Sequence, residues 1–388
     1  MRERIYFDQA ATSWPKPEAV YQAVDRYQRT VGAAAGRGAY AEAQQAERLV
    51  EAARRSVARL LKVEDARRIV FTLNGTDSLN LALHGALSAG GHVITTLAEH
   101  NSVLRPLKTL EAAGRVTVSR VGLGPSGLVD PDDIRRAMNG ETRLIVLTHA
   151  SNVTGALQPA AEVGRLARQA GALFLLDAAQ SLGEMPMDVE QLGVDLLAAP
   201  GHKGLLGPLG TGVLYLRPGV EQQVAALRQG GTGSRSDQDW QPELLPDKFE
   251  SGNLNVPGIA GLGAGAGWLA ERGIDQVRQH GLALLGRLLA RLGEISGVSI
   301  FGPTDLQQRV PLVSLTLAGI DPQELAAALD SSYRIQGRAG LHCAPLMHRH
   351  LGTLDRGGTL RLSLGPMNTL EQVDQVAEAL DDIARQLR

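Results

Sequence analysis

One cysteine, Cys343, stands among 388 residues, so no disulfide closes within the chain and a secreted, disulfide-stapled scaffold is excluded. Charge of either sign is not in excess: 39 Lys and Arg face 41 Asp and Glu. That balance leaves no electrostatic footprint for nucleic acid or an anionic membrane, and neither is expected as a partner. No apolar run approaches the ~18 residues of a membrane span. The start, MRERIYFDQAATSWPKP, has no apolar signal core, so the expected compartment is the cytoplasm. Nine histidines and the lone cysteine show no ligand spacing such as H-x-x-x-H, and no metal is expected. His348 and His350 read as solvated loop residues.

What is present is a globular composition, 44% hydrophobic and 21% charged, long enough for two domains and a large buried core. The 45 glycines exceed the usual ~7% share and point to tight turns or close backbone approach. Amphipathic runs alternate with short apolar ones. Strands are expected at 68–73, 92–97, 116–123, 143–149, 172–177, 195–199 and 212–216, with helices at 43–61, 78–87, 102–113, 131–138 and 161–170. Apolar strands alternating with helices predict an α/β fold with a mostly parallel central sheet covered on both faces. Further on the pattern changes: a long helical stretch at 268–295, interrupted near Gly273 and Gly281, strands at 298–301, 311–317 and 359–364, and helices at 322–329 and 370–387. Residues 1–262 are therefore expected to form a large domain and 263–388 a smaller α+β domain, with about residues 1–17 packing on the smaller one.

Ligands of open α/β sheets collect at the carboxyl ends of the strands, so the polar residues following each strand matter most. Asn74-Gly75-Thr76-Asp77-Ser78 leads from a strand into a helix; backbone N–H groups there suit a phosphate, although such residues also serve as ordinary caps. His100 and Asn152 follow two further strands, each equally readable as a surface or turn residue. Asp177 closes five apolar residues and is followed by Gln180. An acid placed there is costly to bury without a cation or donors, though it also suits a helix cap. Lys203 sits in Ala199-Pro200-Gly201-His202-Lys203-Gly204, framed by glycines that let the backbone pack closely. A lysine near apolar walls loses its proton readily and can form a Schiff base. Cys343 lies in Arg338-Ala339-Gly340-Leu341-His342-Cys343-Ala344-Pro345, an electropositive turn where a thiolate nucleophile is expected; a buried, inert cysteine is the alternative.

An Asp at a strand end, 26 residues before a glycine-framed Lys, suits pyridoxal 5′-phosphate. The lysine holds the aldehyde, and the carboxylate keeps the ring nitrogen protonated so that the ring is an electron sink. His100 is a candidate plate over the ring, Asn152 and Gln180 are candidate donors to its phenolic oxygen, and Gly75 and Thr76 form a candidate phosphate cup.

In order along nearly the whole chain, YFDQAATSWPKP, FTLNGTDSLN, AEHNSV, SNVTGALQP, LLDAAQS, APGHKGLLGPLGTG, DKFESGNLNVPGIAGL, RAGLHCAP and LRLSLGPMNT resemble the class V aminotransferase-fold enzymes, specifically the cysteine desulfurase and selenocysteine lyase group. The resemblance implies a fold type I pyridoxal phosphate enzyme. It implies that Lys203 forms the Schiff base and shuttles the α-proton, Asp177 pairs with the ring nitrogen, His100 stacks on the ring, and Gln180 and Asn152 bond near the phenolic oxygen. Gly75, Thr76 and His202 would hold the phosphate, with Asn253 standing where a neighbouring subunit of relatives often supplies a Thr. Arg361, with Asn152 nearby, would bind the substrate carboxylate and Arg338 would frame the cysteine. Cys343 would take sulfur from L-cysteine as a persulfide, leaving L-alanine. A homodimer and a sulfur-acceptor protein are implied partners. L-selenocysteine as substrate, another class V reaction (transamination or C–S lysis), and a non-catalytic cofactor-binding scaffold are the alternatives. This chain departs from its relatives at Pro200, where a Ser is common, at Gly75, which replaces a hydroxyl residue, at Leu341, which replaces a His, and at Tyr40, where a His is frequent.

Overall fold

The computed structural model describes residues 4–388. In chain order the strands are β1 (Ile5–Tyr6), β2 (Ile69–Thr72), β3 (Gly91–Thr96), β4 (Val116–Val121), β5 (Thr142–Thr148), β6 (Leu173–Asp177), β7 (Leu196–Pro200), β8 (Gly212–Leu216), β9 (Val298–Phe301), β10 (Leu312–Leu317), β11 (Ile335–Gln336), β12 (Arg338–Gly340) and β13 (Thr359–Ser363). The helices are α1 (Glu18–Thr30), α2 (Ala41–Leu60), α3 (Gly75–Ala86), α4 (Asn101–Ala112), α5 (Pro131–Ala137), α6 (Ala160–Ala170), α7 (Val256–Arg272), α8 (Ile274–Gly293), α9 (Pro322–Tyr333), α10 (Pro345–His350) and α11 (Leu370–Gln386). Among the described residues no helix is long and apolar enough to cross a membrane.

Seven strands form one sheet in the order β2-β8-β7-β6-β5-β3-β4. Every pairing in it is parallel except those of β8 with β2 and β7. The inner strands β5 to β8 are largely apolar because both faces are covered, whereas the edge strand β4 carries Thr117, Ser119 and Arg120 and is only partly buried; alternation along the inner strands divides the core. In β5, Ile145 and Leu147 join the layer that includes α2, α6 and α7. Leu144 and Val146 face the opposite layer, built on α3 and α4. A second sheet, β12-β13-β10-β9, is antiparallel and packs with α8, α9 and α11. The mostly parallel α/β architecture with a further C-terminal sheet agrees with the sequence.

Two details differ from the sequence pattern. The break at Gly273 is real, but none occurs at Gly281: α8 runs through it, and a Cβ there would stand 2.9 Å from Pro311 Cγ. This glycine admits a close neighbour rather than ending a helix. The division expected at 262/263 falls inside α7, whose apolar side joins the large sheet's core, which extends to Val277; Leu284 and later residues of α8 pack beneath the second sheet. The N-terminal segment crosses between them. β1 pairs in parallel with β11, Asp8 bridges Ser363, and Ser13 N donates to His202 O at 2.9 Å.

Candidate active site

A cleft of about 700 Å³ opens at the carboxyl ends of the parallel strands. Gly75, Thr76, His100, Asn152, Asp177, Gln180, His202 and Lys203 all line it, so residues spread over 129 positions meet in one place. Asn74 caps α3, its side chain accepting from Asp77 N at 2.9 Å. The helix therefore begins three residues earlier than its apolar pattern suggests, with the N–H groups of Gly75 and Thr76 at its positive end.

His100 is the N-cap of α4. Its Nδ1 accepts from Ser102 N at 3.0 Å and stands 2.8 Å from Ser102 Oγ, which in turn lies 2.7 Å from Thr76 Oγ1. An Nδ1 that accepts leaves the ring proton on Nε2. Desolvation, then the charges of Lys203, Arg338, Arg105 and Arg361, pull its pKa down to about 4; the imidazole is neutral. Beside it Glu99, which sequence reasoning passed over, is fully buried. Its Oε1 accepts from Thr96 Oγ1 at 2.8 Å and Thr148 N at 3.1 Å, and burial raises it to about 8. A carboxyl adjoining a strand-end His was the available signal.

Asp177, at the end of β6, accepts from Ala179 N at 2.9 Å. Burial raises its pKa, opposed by the Ala179 hydrogen bond and by Lys203. Lys203 follows β7 in a turn closed by Gly207 N donating to Gly201 O at 2.8 Å. A Cβ on Gly201 would lie 2.2 Å from Thr211 Oγ1, and one on Gly204 2.4 Å from Leu182 O; glycine is obligatory for this packing. Desolvation, then Arg361, lowers the lysine to about 8, with Asp177 opposing.

Arg361 on β13 is 1% exposed. Its Nη2 pairs with Asp8 Oδ1 at 2.8 Å and its Nη1 donates to Asn152 O at 3.1 Å, while Nε is buried with no partner among the described residues. Arg338 lies opposite Arg361 in the antiparallel register, and its Nη2 is 3.9 Å from Cys343 Sγ. The cysteine turn is tied to the cleft: Asn152 Nδ2 donates to His342 O at 2.5 Å, and Asn101 N to Cys343 O at 2.8 Å. Asp8, far away in sequence, carried no local signal for its part.

Some residues fall elsewhere. Asn253 is exposed and lines a separate crevice with Arg37 and Arg54, so a single chain does not bring it to the phosphate end. Tyr40 is 56% exposed at the start of α2. His348 and His350 are not solvated loop residues but belong to α10. His348 is buried with Nδ1 2.8 Å from Thr353 Oγ1, and His350 Nε2 lies 3.1 Å from Gly124 O. Among the described residues no three His, Cys, Asp or Glu side chains gather as a metal would require.

The cleft fits pyridoxal phosphate. Among the described residues His202 Nδ1, at the edge of the cleft, is buried without a partner, the start of α3 offers free N–H groups, and Asp177 is a buried acid with no side-chain cation bonded to it. A phosphate and a pyridinium nitrogen would satisfy these groups.

The class-V aminotransferase family model matches residues 5–376. A Methanothermobacter thermautotrophicus protein named "Probable cysteine desulfurase" is 37% identical, across 99% of this chain and 96% of its own length. Escherichia coli cysteine desulfurase CsdA is 33% identical across 97% and 93%. Among solved structures, apo cysteine desulfurase from Thermococcus onnurineus NA1 superposes with a TM-score of 0.92 at 32% identity, covering 99% of this chain and 95% of that one. The S-sulfonic acid form of Escherichia coli CsdA gives 0.87 at 32% identity, covering 99% and 95%. The chain thus belongs to the cysteine desulfurase group of the pyridoxal phosphate-dependent class-V aminotransferase family.

Proposed function

We propose that this chain is a cysteine desulfurase that converts L-cysteine to L-alanine and takes the sulfur on Cys343 as a persulfide. One observation carries the reading. The thiol is held 3.9 Å from the Arg338 guanidinium on a turn bonded through Cys343 O to Asn101 and through His342 O to Asn152, which lines the cleft together with Lys203.

Bound in the cleft, the cofactor supplies an electron sink for charge developing at the substrate α-carbon. Gly75, Thr76 and His202 would hold its phosphate, Asp177 its ring nitrogen, His100 its face, and Gln180 with Asn152 its phenolic oxygen. Lys203, with its lowered basicity, would hold the cofactor's aldehyde end and would carry the α-proton. Arg361 binds the substrate carboxylate, for which a guanidinium offers two parallel donors. Arg338 stands against the Cys343 sulfur. As a thiolate, Cys343 attacks the substrate sulfur: an S–S bond forms, the Cβ–S bond breaks, and its electron pair returns to the carbon skeleton, which is protonated to alanine. A second copy of the chain would cover Leu73 and Leu209, both exposed, and bring an Asn253 to the phosphate. A protein thiol then accepts the persulfide sulfur, in a cytoplasm reducing enough to keep Cys343 free.

Cys343→Ala is the direct test. It should abolish alanine and sulfide release from L-cysteine while leaving the visible cofactor absorbance. Undiminished turnover of L-cysteine by the variant would overturn the persulfide route, and retained turnover of L-selenocysteine alone would mark selenium chemistry as independent of the thiol.

A further inference from the structure

The residue before the cysteine is held more tightly than the cysteine itself. His342 and Cys343 are consecutive left-handed residues, with φ of 48° and 60°, a conformation that residues bearing a Cβ adopt only where their surroundings impose it. The His342 ring supplies much of that constraint. It is 2% exposed, and its Nε2 lies 3.1 Å from Thr359 O and 3.2 Å from Thr359 Oγ1. A carbonyl only accepts, so Nε2 carries the proton and Nδ1 is bare, and Nδ1 is buried with no partner among the described residues. Thr359 opens β13, the strand on which Arg361 stands two residues later. The thiol and the carboxylate anchor are therefore referenced to one piece of backbone.

We propose that His342 is a positioning residue for Cys343: its Nε2–H bond to Thr359 locks the left-handed turn and fixes where Sγ stands relative to Arg338 and the substrate. The inference rests on the persulfide reading. The competing role, a base for the thiol, is disfavoured by the environment. Desolvation, then Arg361, His348 and Arg338, depress the imidazole to about 2, too weak a base to take a thiol proton.

Three variants, measured as holoenzymes, separate the roles. His342→Leu should lower kcat about 10²-fold, the scale of an ångström-sized misplacement, with KM within about twofold of the wild type. Its Cys343 should also be alkylated by iodoacetamide, without substrate, at a changed rate. His342→Gln presents an amide donor near the position of Nε2 and should recover most of kcat with an unaltered pH profile of kcat/KM. His342→Asn, whose amide falls short of Thr359, should behave as the leucine variant and stands in for it if that one fails to fold. Wild-type kcat in the leucine or asparagine variant, or a glutamine variant as impaired as these with a displaced pH profile, would overturn the proposal. The alkylation rate requires no turnover, so these outcomes stay distinct from failure of the persulfide reading, which Cys343→Ala alone decides.

Discussion

Lys203 is the residue whose chemistry depends most on its surroundings. An ordinary lysine carries its proton to pH 10.5, whereas this one gives it up at about 8 because protein atoms replace water around it and Arg361 adds a like charge. In the cofactor-free chain the amine should thus be nucleophilic well below pH 10.5. Trace acetylation with acetic anhydride, followed by peptide mass analysis, should give half-maximal labelling of Lys203 near pH 8. Half-maximal labelling near pH 10.5 would show that the site does not depress it. The same shift carries a stability sign. Between about pH 8 and 10.5 the unfolded chain binds a proton that the folded chain does not, so the penalty from Lys203 is complete below that window and relieved as pH rises through it.

At the scale of elements, the start of α3 and the end of β7 have to be read together. A Cβ on Gly75 would stand 3.0 Å from Pro200 Cδ and 3.2 Å from Pro200 N, so the glycine makes room for the proline ring. Gly75→Ser alone should cost about 1–3 kcal/mol by overpacking. In a Pro200→Ser background, where the ring is gone, it should cost less, giving a coupling of about 0.5–2 kcal/mol in a double-mutant cycle followed by chemical denaturation. Additive costs would refute the coupling. This contact explains what was legible in the sequence and what was not. Periodicity located β2 to β8 and their helices because both faces of the large sheet are buried and the apolar runs stop where the core stops. Motif order gathered the residues from Gly75 to Lys203, since each stands at the end of a strand or in the turn after it. The compensation between Gly75 and Pro200 joins positions 125 residues apart and leaves no local trace. β1, β11 and β12 were likewise hidden: two or three residues long, they are defined by their partners rather than by any period of their own.

Across the whole molecule, the N-terminal segment ties the two sheets together at the cleft. Ala10 N donates to Ser363 Oγ at 2.9 Å on the smaller sheet, Ala10 O accepts from Gln180 Nε2 at 3.1 Å in the turn that follows β6 of the larger one, and Asp8 supplies the only carboxylate paired with Arg361 among the described residues. Arg361 is desolvated whether or not a substrate is present, so its charge needs an anion at all times, and Asp8 meets that need. Removing the carboxylate by Asp8→Ala should destabilise the holoenzyme by about 3 kcal/mol, at the low end for a buried pair because the Asp8 side chain retains 21% exposure. If Arg361 is the seat of the substrate carboxylate, a small monocarboxylate should stand in for the missing group. Propionate should therefore raise the melting temperature of Asp8→Ala more than that of the wild type, whose guanidinium already has a partner. An equal response in both proteins would mean that Asp8 and a ligand carboxylate do not share Arg361. A smaller response in the variant would mean that Asp8 orients the guanidinium for its ligand instead of occupying its place.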